Sequence, residues 1–236
     1  MVNLNDGGHD DHPMNGGKQI SYSNELARKA IHITSLLIPI IYLQVEQRTA
    51  MLILISMTSV SLLIDVARYK HGPTRRVLMQ LVGPLLRTHE LGNSGMKLTG
   101  ASWVLIAATL TLSVFPPLIG VTAFTILIIS DTFAALIGRR YGHTPFLDKS
   151  RAGSVTFAST AMVVVGVYGL VFSAPWTYWA AGMIGAIAAA VVEAASVRLR
   201  LDDNIAIPFS FGITAMVCEW ITRGTGLPSF AMLVTH

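Results

Sequence analysis

Charged residues are scarce in this sequence, with Asp, Glu, Lys and Arg making up 13% of 236 residues, whereas hydrophobic residues make up 52%. The mean hydropathy of +0.57 is too high for a soluble domain of this size. The formal net charge of +4 does not indicate a nucleic-acid partner, because the basic residues punctuate hydrophobic segments as they do in membrane proteins. We therefore expect an integral membrane protein in a lipid bilayer, with no nucleic acid bound.

Cysteine is nearly absent as well. The single Cys218 lies in an apolar run, which excludes a disulfide within the chain and a cysteine zinc site and favours simple packing. No apolar segment follows the start of the chain, so we expect residues 1–24 to be a polar flexible tail rather than a signal peptide. Residues 9–12 (His-Asp-Asp-His) could bind a metal there, but a tail without fixed geometry favours solvated disorder.

Long apolar segments fill the rest of the chain, residues 25–236, which we predict to be one transmembrane domain. The predicted fold class is all-α, a polytopic membrane helix bundle with about seven transmembrane helices, each near the ~20 residues that a bilayer core requires. An eighth stretch, 74–86, is too short and too basic to span and is predicted to lie on the membrane surface. The predicted spans are residues 25–43, 49–66, 98–115, 118–137, 154–172, 177–197 and 205–222.

The distribution of cations predicts the orientation of this bundle. Of the 17 Lys and Arg residues, 15 fall in the N-terminal arm and in the second, fourth and sixth connections, leaving Arg48 and Arg223 on the other side. Because cytoplasmic loops carry the excess of Lys and Arg, the N-terminus is expected in the cytoplasm and the C-terminus outside. We expect a bacterial inner membrane protein, or its equivalent, with its active site facing the cytoplasm.

The fourth span carries a carboxylate, Asp131, within an apolar helix. Such a carboxylate costs several kcal/mol unless it has a partner, so it indicates a functional site. The loop that follows holds four cations, which favours an anionic ligand from solution: Arg139, Arg140, Lys149 and Arg151. A phosphate-rich ligand with Mg²⁺ fits both parts, since Mg²⁺ prefers carboxylates plus substrate phosphates. Arg139 and Arg140 could alternatively be positive-inside anchors, whereas Lys149 suits phosphate oxygens.

Other ionisable residues converge on the same predicted side of the membrane. Glu193 lies near the inner end of the sixth span, with residues 202–204 (Asp-Asp-Asn) in the loop below it. Asp65 closes the second span and His32 opens the first, whereas Glu219 is the exception, toward the outer end of the last span. The residues other than Glu219 together predict a cleft open to the cytosol. His32 could equally be a capped or core histidine at a helix start.

The sixth span adds a packing argument. Four residues follow at +4, +3 and +4 and so share one helical face: Gly182, Ala186, Ala189 and Glu193. Small residues let a neighbouring helix approach closely, so this face is predicted to point into the bundle and to carry Glu193 with it. The alternative is a structural Glu193 paired with Arg198 or Arg200.

Several of these residues form a pattern that resembles the polyprenol kinase family, which includes dolichol kinase, phytol kinase and the CTP-dependent diacylglycerol kinase of yeast type. The resemblance covers residues 25–212, and the compact length is most similar to phytol kinase. The motifs that carry it are Arg28-Lys29-x-x-His32, Leu98-Thr99-Gly100-Ala101, Asp131-Thr132, Gly138-Arg139-Arg140-Tyr141-Gly142, Lys149-Ser150, Gly153-Ser154, and Glu193 followed by Asp203-Asn204-Ile205-x-Ile207-Pro208.

This resemblance implies a membrane kinase that transfers the γ-phosphate of CTP, or another nucleoside triphosphate, to a lipid alcohol of the isoprenoid type or to diacylglycerol. Asp131 with Glu193 or Asp203 would hold Mg²⁺, and a carboxylate or His32 would take the hydroxyl proton. The catalytic residues would be Asp131, Glu193, Lys149 and His32. The nucleotide-binding residues would be Arg139, Arg140, Lys149, Ser150, Gly153 and Ser154.

One departure and two alternatives accompany this reading. The family often has a glutamate where this sequence has Ala152, which puts its donor preference in doubt. The resemblance also extends to phosphatidate cytidylyltransferases, which use CTP differently and are the first alternative. An ion-coupled transporter is a second alternative, since buried acids can relay protons. The absence of an inverted repeat and of a carboxylate near the midplane speaks against it.

Overall fold

The computed structural model describes residues 32–70, 98–200 and 202–234. The predicted tail, residues 1–24, and the predicted surface stretch, residues 74–86, lie outside the described residues, as do Arg28 and Lys29. The described chain is helical apart from one short hairpin. Its elements are α1 (Leu37–Tyr42), α2 (Gln47–Lys70), α3 (Gly100–Val114), α4 (Pro117–Tyr141), β1 (Pro145–Phe146), β2 (Lys149–Ser150), α5 (Arg151–Val171), α6 (Trp176–Ala194), α7 (Ser196–Leu199) and α8 (Asp203–Gly224).

Five of these helices are long and apolar enough to cross a membrane, which indicates a membrane protein. They are α2, through its segment Gln47–Ala67, and α4, α5, α6 and α8 over their full lengths. They correspond to the second, fourth, fifth, sixth and seventh predicted spans.

The prediction of seven spans is not confirmed. The third predicted span forms α3, whose 15 residues extend only about 22 Å at 1.5 Å per residue, short of a bilayer core of about 30 Å. Its length has a local cause: Thr99 accepts a hydrogen bond from the Ser102 N–H and so begins the helix, and Pro116 follows its end. The first predicted span begins outside the described residues, and its visible part is the short apolar segment His32–Tyr42. The cytoplasmic orientation stays a prediction.

Helix α4 is the centre of the bundle. In the apolar 18-residue segment of α4, 78% of the residues are buried, whereas in the corresponding segment of α2 only 17% are buried. Helix α4 packs against α3, α5 and α8. On α2 two leucines point outward instead, Leu52 and Leu63, each 67% exposed. Surfaces this apolar fit a lipid environment. The helix that carries Asp131 is therefore the interior helix of the fold.

Hydroxyl pairs join the peripheral helix α2 to α3. The hydroxyls of Thr58 and Thr109 lie 2.8 Å apart, and those of Ser61 and Ser102 lie 2.7 Å apart. In lipid, where apolar surface does not drive helices together, such hydrogen bonds contribute to helix association. They hold α2 beside the bundle despite its small buried face.

Candidate functional site

A lysine held between two carboxylates forms the centre of the site. Lys149 Nζ lies 3.3 Å from Glu193 Oε1 and 3.2 Å from Asp203 Oδ2. Glu193 is the penultimate residue of α6, Asp203 is the first residue of α8, and Lys149 begins β2. Three separate elements thus bring together three residues that the sequence had identified individually.

The predicted face of α6 explains why Glu193 reaches this point. Ala186 and Ala189 are fully buried, and a Cβ at Gly182 would overlap the Val165 side chain of α5. The prediction that this face points into the bundle is confirmed, and it leaves Glu193 only 4% exposed. The predicted alternative, a structural pair of Glu193 with Arg198 or Arg200, is not seen among the described residues, because Glu193 pairs with Lys149 and Arg198 pairs with Asp148.

The electrostatics of Lys149 follow from these neighbours. Burial alone would lower the pKa of its ammonium group, but the negative charges of Asp203, Glu193 and Asp131 outweigh burial and hold the pKa above its usual value. The group is therefore a permanent cation at neutral pH. Its side chain is 31% exposed, so an anion from solution can reach it.

Each carboxylate beside Lys149 keeps one unused oxygen. Glu193 Oε2 and Asp203 Oδ1 are buried and have no hydrogen-bond partner among the residues that the structure describes. Buried carboxylate oxygens need a donor or a cation to offset the loss of water. Carboxylate oxygens are also the ligands that Mg²⁺ prefers, so this pair fits that ion. Within the described ranges no group of three or more His, Cys, Asp or Glu is arranged to hold a metal, so phosphate oxygens and water would complete its coordination.

Asp131 and His32 lie next to this centre. His32 Nε2 is 3.9 Å from Asp131 Oδ2, and both side chains are largely buried. Asp131 also contributes to the electrostatic field on Lys149. We refer to Lys149, Glu193, Asp203, Asp131 and His32 as the charged cluster. It contains every residue that the sequence predicted as catalytic or metal-binding.

The predicted nucleotide-binding residues Ser150 and Gly153 have packing roles in the structure. Ser150 is the N-cap of α5, and its Oγ accepts a hydrogen bond from the Gly153 N–H at 3.2 Å. Gly153 lies at the crossing of α4 and α5, where a Cβ would be 3.2 Å from the Ala134 carbonyl oxygen and 3.4 Å from Gly138 Cα. These contacts place β2 beside α4, and a role in nucleotide binding stays a prediction.

Arg139, Arg140 and Ser154 are the other residues that the sequence predicted to bind a nucleotide. Both arginines are in the last turn of α4, where cations interact favourably with the helix dipole. The Arg140 guanidinium lies 5.4 Å from the centre of the Tyr141 ring. Ser154 Oγ is buried and makes no hydrogen bond to any described residue. Their proposed contacts with a nucleotide therefore stay predictions.

Two other acids have structural partners instead of places in the cluster. Asp65 was expected in the cleft, but its Oδ2 accepts hydrogen bonds at the start of α3, from Thr99 N at 2.8 Å and Ser102 Oγ at 2.7 Å. Glu219 is 2% exposed and accepts hydrogen bonds from Arg223 Nε at 2.7 Å and the Phe230 N–H at 3.0 Å. The first joins α2 to α3, and the second ties the C-terminal segment to α8.

Sequence reasoning did not identify the contact that docks the hairpin β1–β2. Asp148 accepts hydrogen bonds from the Arg198 N–H at 2.9 Å and from Arg198 Nε at 2.8 Å. Its own N–H donates to the Ala194 carbonyl at 2.9 Å. The partners are 50 residues apart, and a loop Asp has no periodic pattern that could have indicated them.

Two relatives show what this chain is similar to. It is 32% identical over 205 residues to an uncharacterized protein of Rickettsia prowazekii, an alignment that covers 86% of this chain and 99% of the relative. It is 31% identical over 160 residues to a protein of Schizosaccharomyces pombe named CTP-dependent diacylglycerol kinase 1, covering 61% of this chain and 69% of the relative. No protein-family model and no solved structure matches the chain.

Proposed function

Because the chain belongs to the CTP-dependent diacylglycerol kinase family, we propose that it is a membrane lipid kinase. It transfers the γ-phosphoryl group of CTP, or of another nucleoside triphosphate, to the hydroxyl of a lipid alcohol and releases the nucleoside diphosphate. The observation that carries the proposal is the charged cluster, in which a lysine bridges two carboxylates that each retain a buried oxygen with no partner among the described residues.

Phosphoryl transfer requires positioning and charge neutralisation more than covalent chemistry from the protein. Lys149 supplies a fixed positive charge for the phosphate oxygens of the donor. Glu193 and Asp203, with Asp131 beside them, would hold Mg²⁺ through their carboxylates. Bound Mg²⁺ would neutralise the charge that develops on the transferred phosphoryl group. Glu193 lies at the end of α6 and Asp203 at the start of α8, and both carboxylates contact Lys149 Nζ.

The acceptor hydroxyl must also lose a proton. His32 and Asp131, 3.9 Å apart, form an imidazole–carboxylate pair in which the imidazole takes the proton and the carboxylate stabilises the resulting cation. The acceptor is uncharged, so it can reach this pair from the bilayer while the nucleotide arrives from water. We propose diacylglycerol or an isoprenoid alcohol of the phytol or polyprenol type. The name of the yeast relative supports the first, and the resemblance to compact phytol kinases supports the second.

We further propose that the site faces the cytoplasm, which supplies the nucleotide. Fifteen of the 17 cations lie on the predicted inner side, with Lys149 among them. Lys149, Glu193 and Asp203 lie at helix ends on this predicted side, whereas the buried Glu219 lies near the opposite end of α8.

The experiment is a transfer assay with the full-length purified protein, γ-labelled CTP or ATP, Mg²⁺ and a panel of lipids. The panel contains diacylglycerol, phytol, a long-chain polyprenol and, as a control, a lipid whose hydroxyl is blocked as an ether. Label should enter the lipid fraction with at least one alcohol and not with the ether. Failure of label to enter any of the alcohols with either nucleotide would contradict the proposal.

A further inference from the structure

The hairpin that carries Lys149 has an unfavourable backbone conformation at its turn. Residues 145–146 pair with residues 149–150, so Leu147 and Asp148 form a two-residue loop. Leu147 has φ = 51°, a left-handed conformation that only glycine adopts without steric cost. Such a conformation persists where surrounding contacts hold it. A hairpin of two residues per strand would not be stable alone.

The contacts that hold this turn come from the end of α6 and from α7. The Asp148 carboxylate accepts two hydrogen bonds from Arg198, through Nε and through the backbone N–H, and the Asp148 N–H donates to the Ala194 carbonyl. Asp148 is mostly buried (13% side-chain exposure), whereas Arg198 is 62% exposed. We name this contact between Asp148 and Arg198 the hairpin clasp.

The clasp lies next to the charged cluster along both segments of chain that it joins. Lys149 directly follows Asp148, and Glu193 directly precedes Ala194, to which the Asp148 N–H is bonded. The clasp therefore fixes the hairpin to the same helix end that presents Glu193. With the turn fixed there, Lys149 Nζ reaches both Glu193 and Asp203 within 3.3 Å.

We propose that Asp148 and Arg198 are positioning residues, which act through Lys149 by holding its ammonium group between Glu193 and Asp203. The kinetic part of this inference rests on the proposed function, whereas the positional part does not. A long flexible lysine is a poor phosphate ligand unless its location is restricted, because misplacing a catalytic group by about 1 Å can cost up to a hundredfold in rate. Neither Asp148 nor Arg198 needs to contact substrate for this role.

The test compares Asp148→Ala, Asp148→Asn and Arg198→Gln with Arg200→Gln, a matched loss of one cation two residues from Arg198. In Asp148→Asn the remaining side-chain oxygen can still accept the Arg198 N–H, so its effect should be smaller than that of alanine. The first readout is independent of enzymatic activity: the rate at which an amine-reactive acylating reagent modifies Lys149, measured by mass spectrometry of the peptide. This rate should rise several-fold in Asp148→Ala and Arg198→Gln and stay unchanged in Arg200→Gln.

The second readout is phosphoryl transfer. In Asp148→Ala and Arg198→Gln we expect kcat to fall about tenfold or more with little change in KM for the lipid, because the proposed role of Asp148 and Arg198 involves no contact with the acceptor. Arg198→Gln removes only an exposed side chain, so it keeps the test open if Asp148→Ala does not fold. Unchanged Lys149 modification rates in folded Asp148→Ala and Arg198→Gln would overturn the inference. A raised rate of Lys149 acylation in these variants, with no phosphoryl transfer even by the wild type, would support the clasp and contradict only the proposed kinase.

Discussion

The substitution Glu193→Gln separates the proposed catalytic role of the charged cluster from its contribution to folding. Glutamine has nearly the same volume as glutamate, so the packing of the small-residue face of α6 should persist. What changes is the charge beside Lys149 and the ligand character of Glu193 Oε2, which has no partner among the described residues. If the proposal is right, activity should suffer far more than stability.

The magnitudes follow from the geometry. At 3.3 Å and an effective dielectric constant of about 20, the Glu193–Lys149 attraction is about 5 kcal/mol before desolvation. Desolvation of a carboxylate that is 4% exposed offsets most of this, and Lys149 keeps Asp203 as a partner. We therefore expect the free energy of unfolding to change by only about 1 kcal/mol.

The expected effect on catalysis is larger, because a charge that stabilises the transition state contributes about 3–4 kcal/mol in comparable sites. That corresponds to a loss of about 10²- to 10³-fold in kcat. The assay is transfer of the γ-label to lipid, with thermal unfolding in detergent measured on the same preparation.

Glu219→Gln is the matched control, since Glu219 is also a glutamate buried in a membrane helix, at 2% exposure. Its carboxylate accepts hydrogen bonds from Arg223 and from the Phe230 N–H, far in sequence from Lys149. This variant should lower the free energy of unfolding by about 1–3 kcal/mol and leave kcat unchanged. The reasoning is refuted if Glu193→Gln retains most of its activity, or if folded Glu219→Gln loses as much activity as Glu193→Gln.

Three further predictions concern the cluster, the bundle and the topology. Asp131→Asn should lower kcat at least about a hundredfold with the fold intact by thermal unfolding; near-normal turnover would make Asp131 structural. Asp65→Asn should lower the free energy of unfolding by about 1–3 kcal/mol, because the Asp65 carboxylate accepts hydrogen bonds at the start of α3. Its kcat should stay within about twofold of the wild type, and a loss of kcat without a loss of stability would place Asp65 in the active site. A reporter inserted near Gly142 should be cytoplasmic and one fused after His236 extracytoplasmic, and finding both on one side would contradict the orientation.

The sequence identified the residues that the structure brings together in the charged cluster, for a physical reason. Charges are rare and costly in apolar helices, so Asp131 and Glu193 stood out from their surroundings. The small residues along α6 then predicted which way Glu193 faces, and its burial confirms that direction. Lys149 was recognised from its place in a loop between two predicted spans. Its contact with both Glu193 and Asp203 was not predicted, because it depends on three elements that meet only in the folded chain.

The structural acids show where sequence reasoning could not reach. Asp65 was predicted to lie in the cleft from its depth in the membrane alone. Depth does not reveal hydrogen-bond partners, and the Asp65 carboxylate accepts a hydrogen bond from the N–H of Thr99, the residue before α3. The hairpin was missed because Leu147 adopts a positive φ that only glycine or asparagine would have signalled. The length of α3 was overestimated for a related reason: hydropathy continues through Leu98 and Phe115, while the helix begins after Thr99 and ends at Val114.

The activity that we propose for this protein is transfer of the γ-phosphoryl group of a nucleotide to a lipid hydroxyl. The most direct measurement supplies the purified protein with CTP labelled at either the α or the γ phosphorus, together with an isoprenoid alcohol, diacylglycerol or a lipid phosphate. A kinase attacks the γ phosphorus and releases CDP, whereas a cytidylyltransferase attacks the α phosphorus and releases pyrophosphate. We predict that only the γ label enters lipid, that it requires an alcohol acceptor, and that CDP accumulates in equal amount. Entry of the α label with a lipid phosphate, without entry of the γ label into any alcohol, would contradict the account.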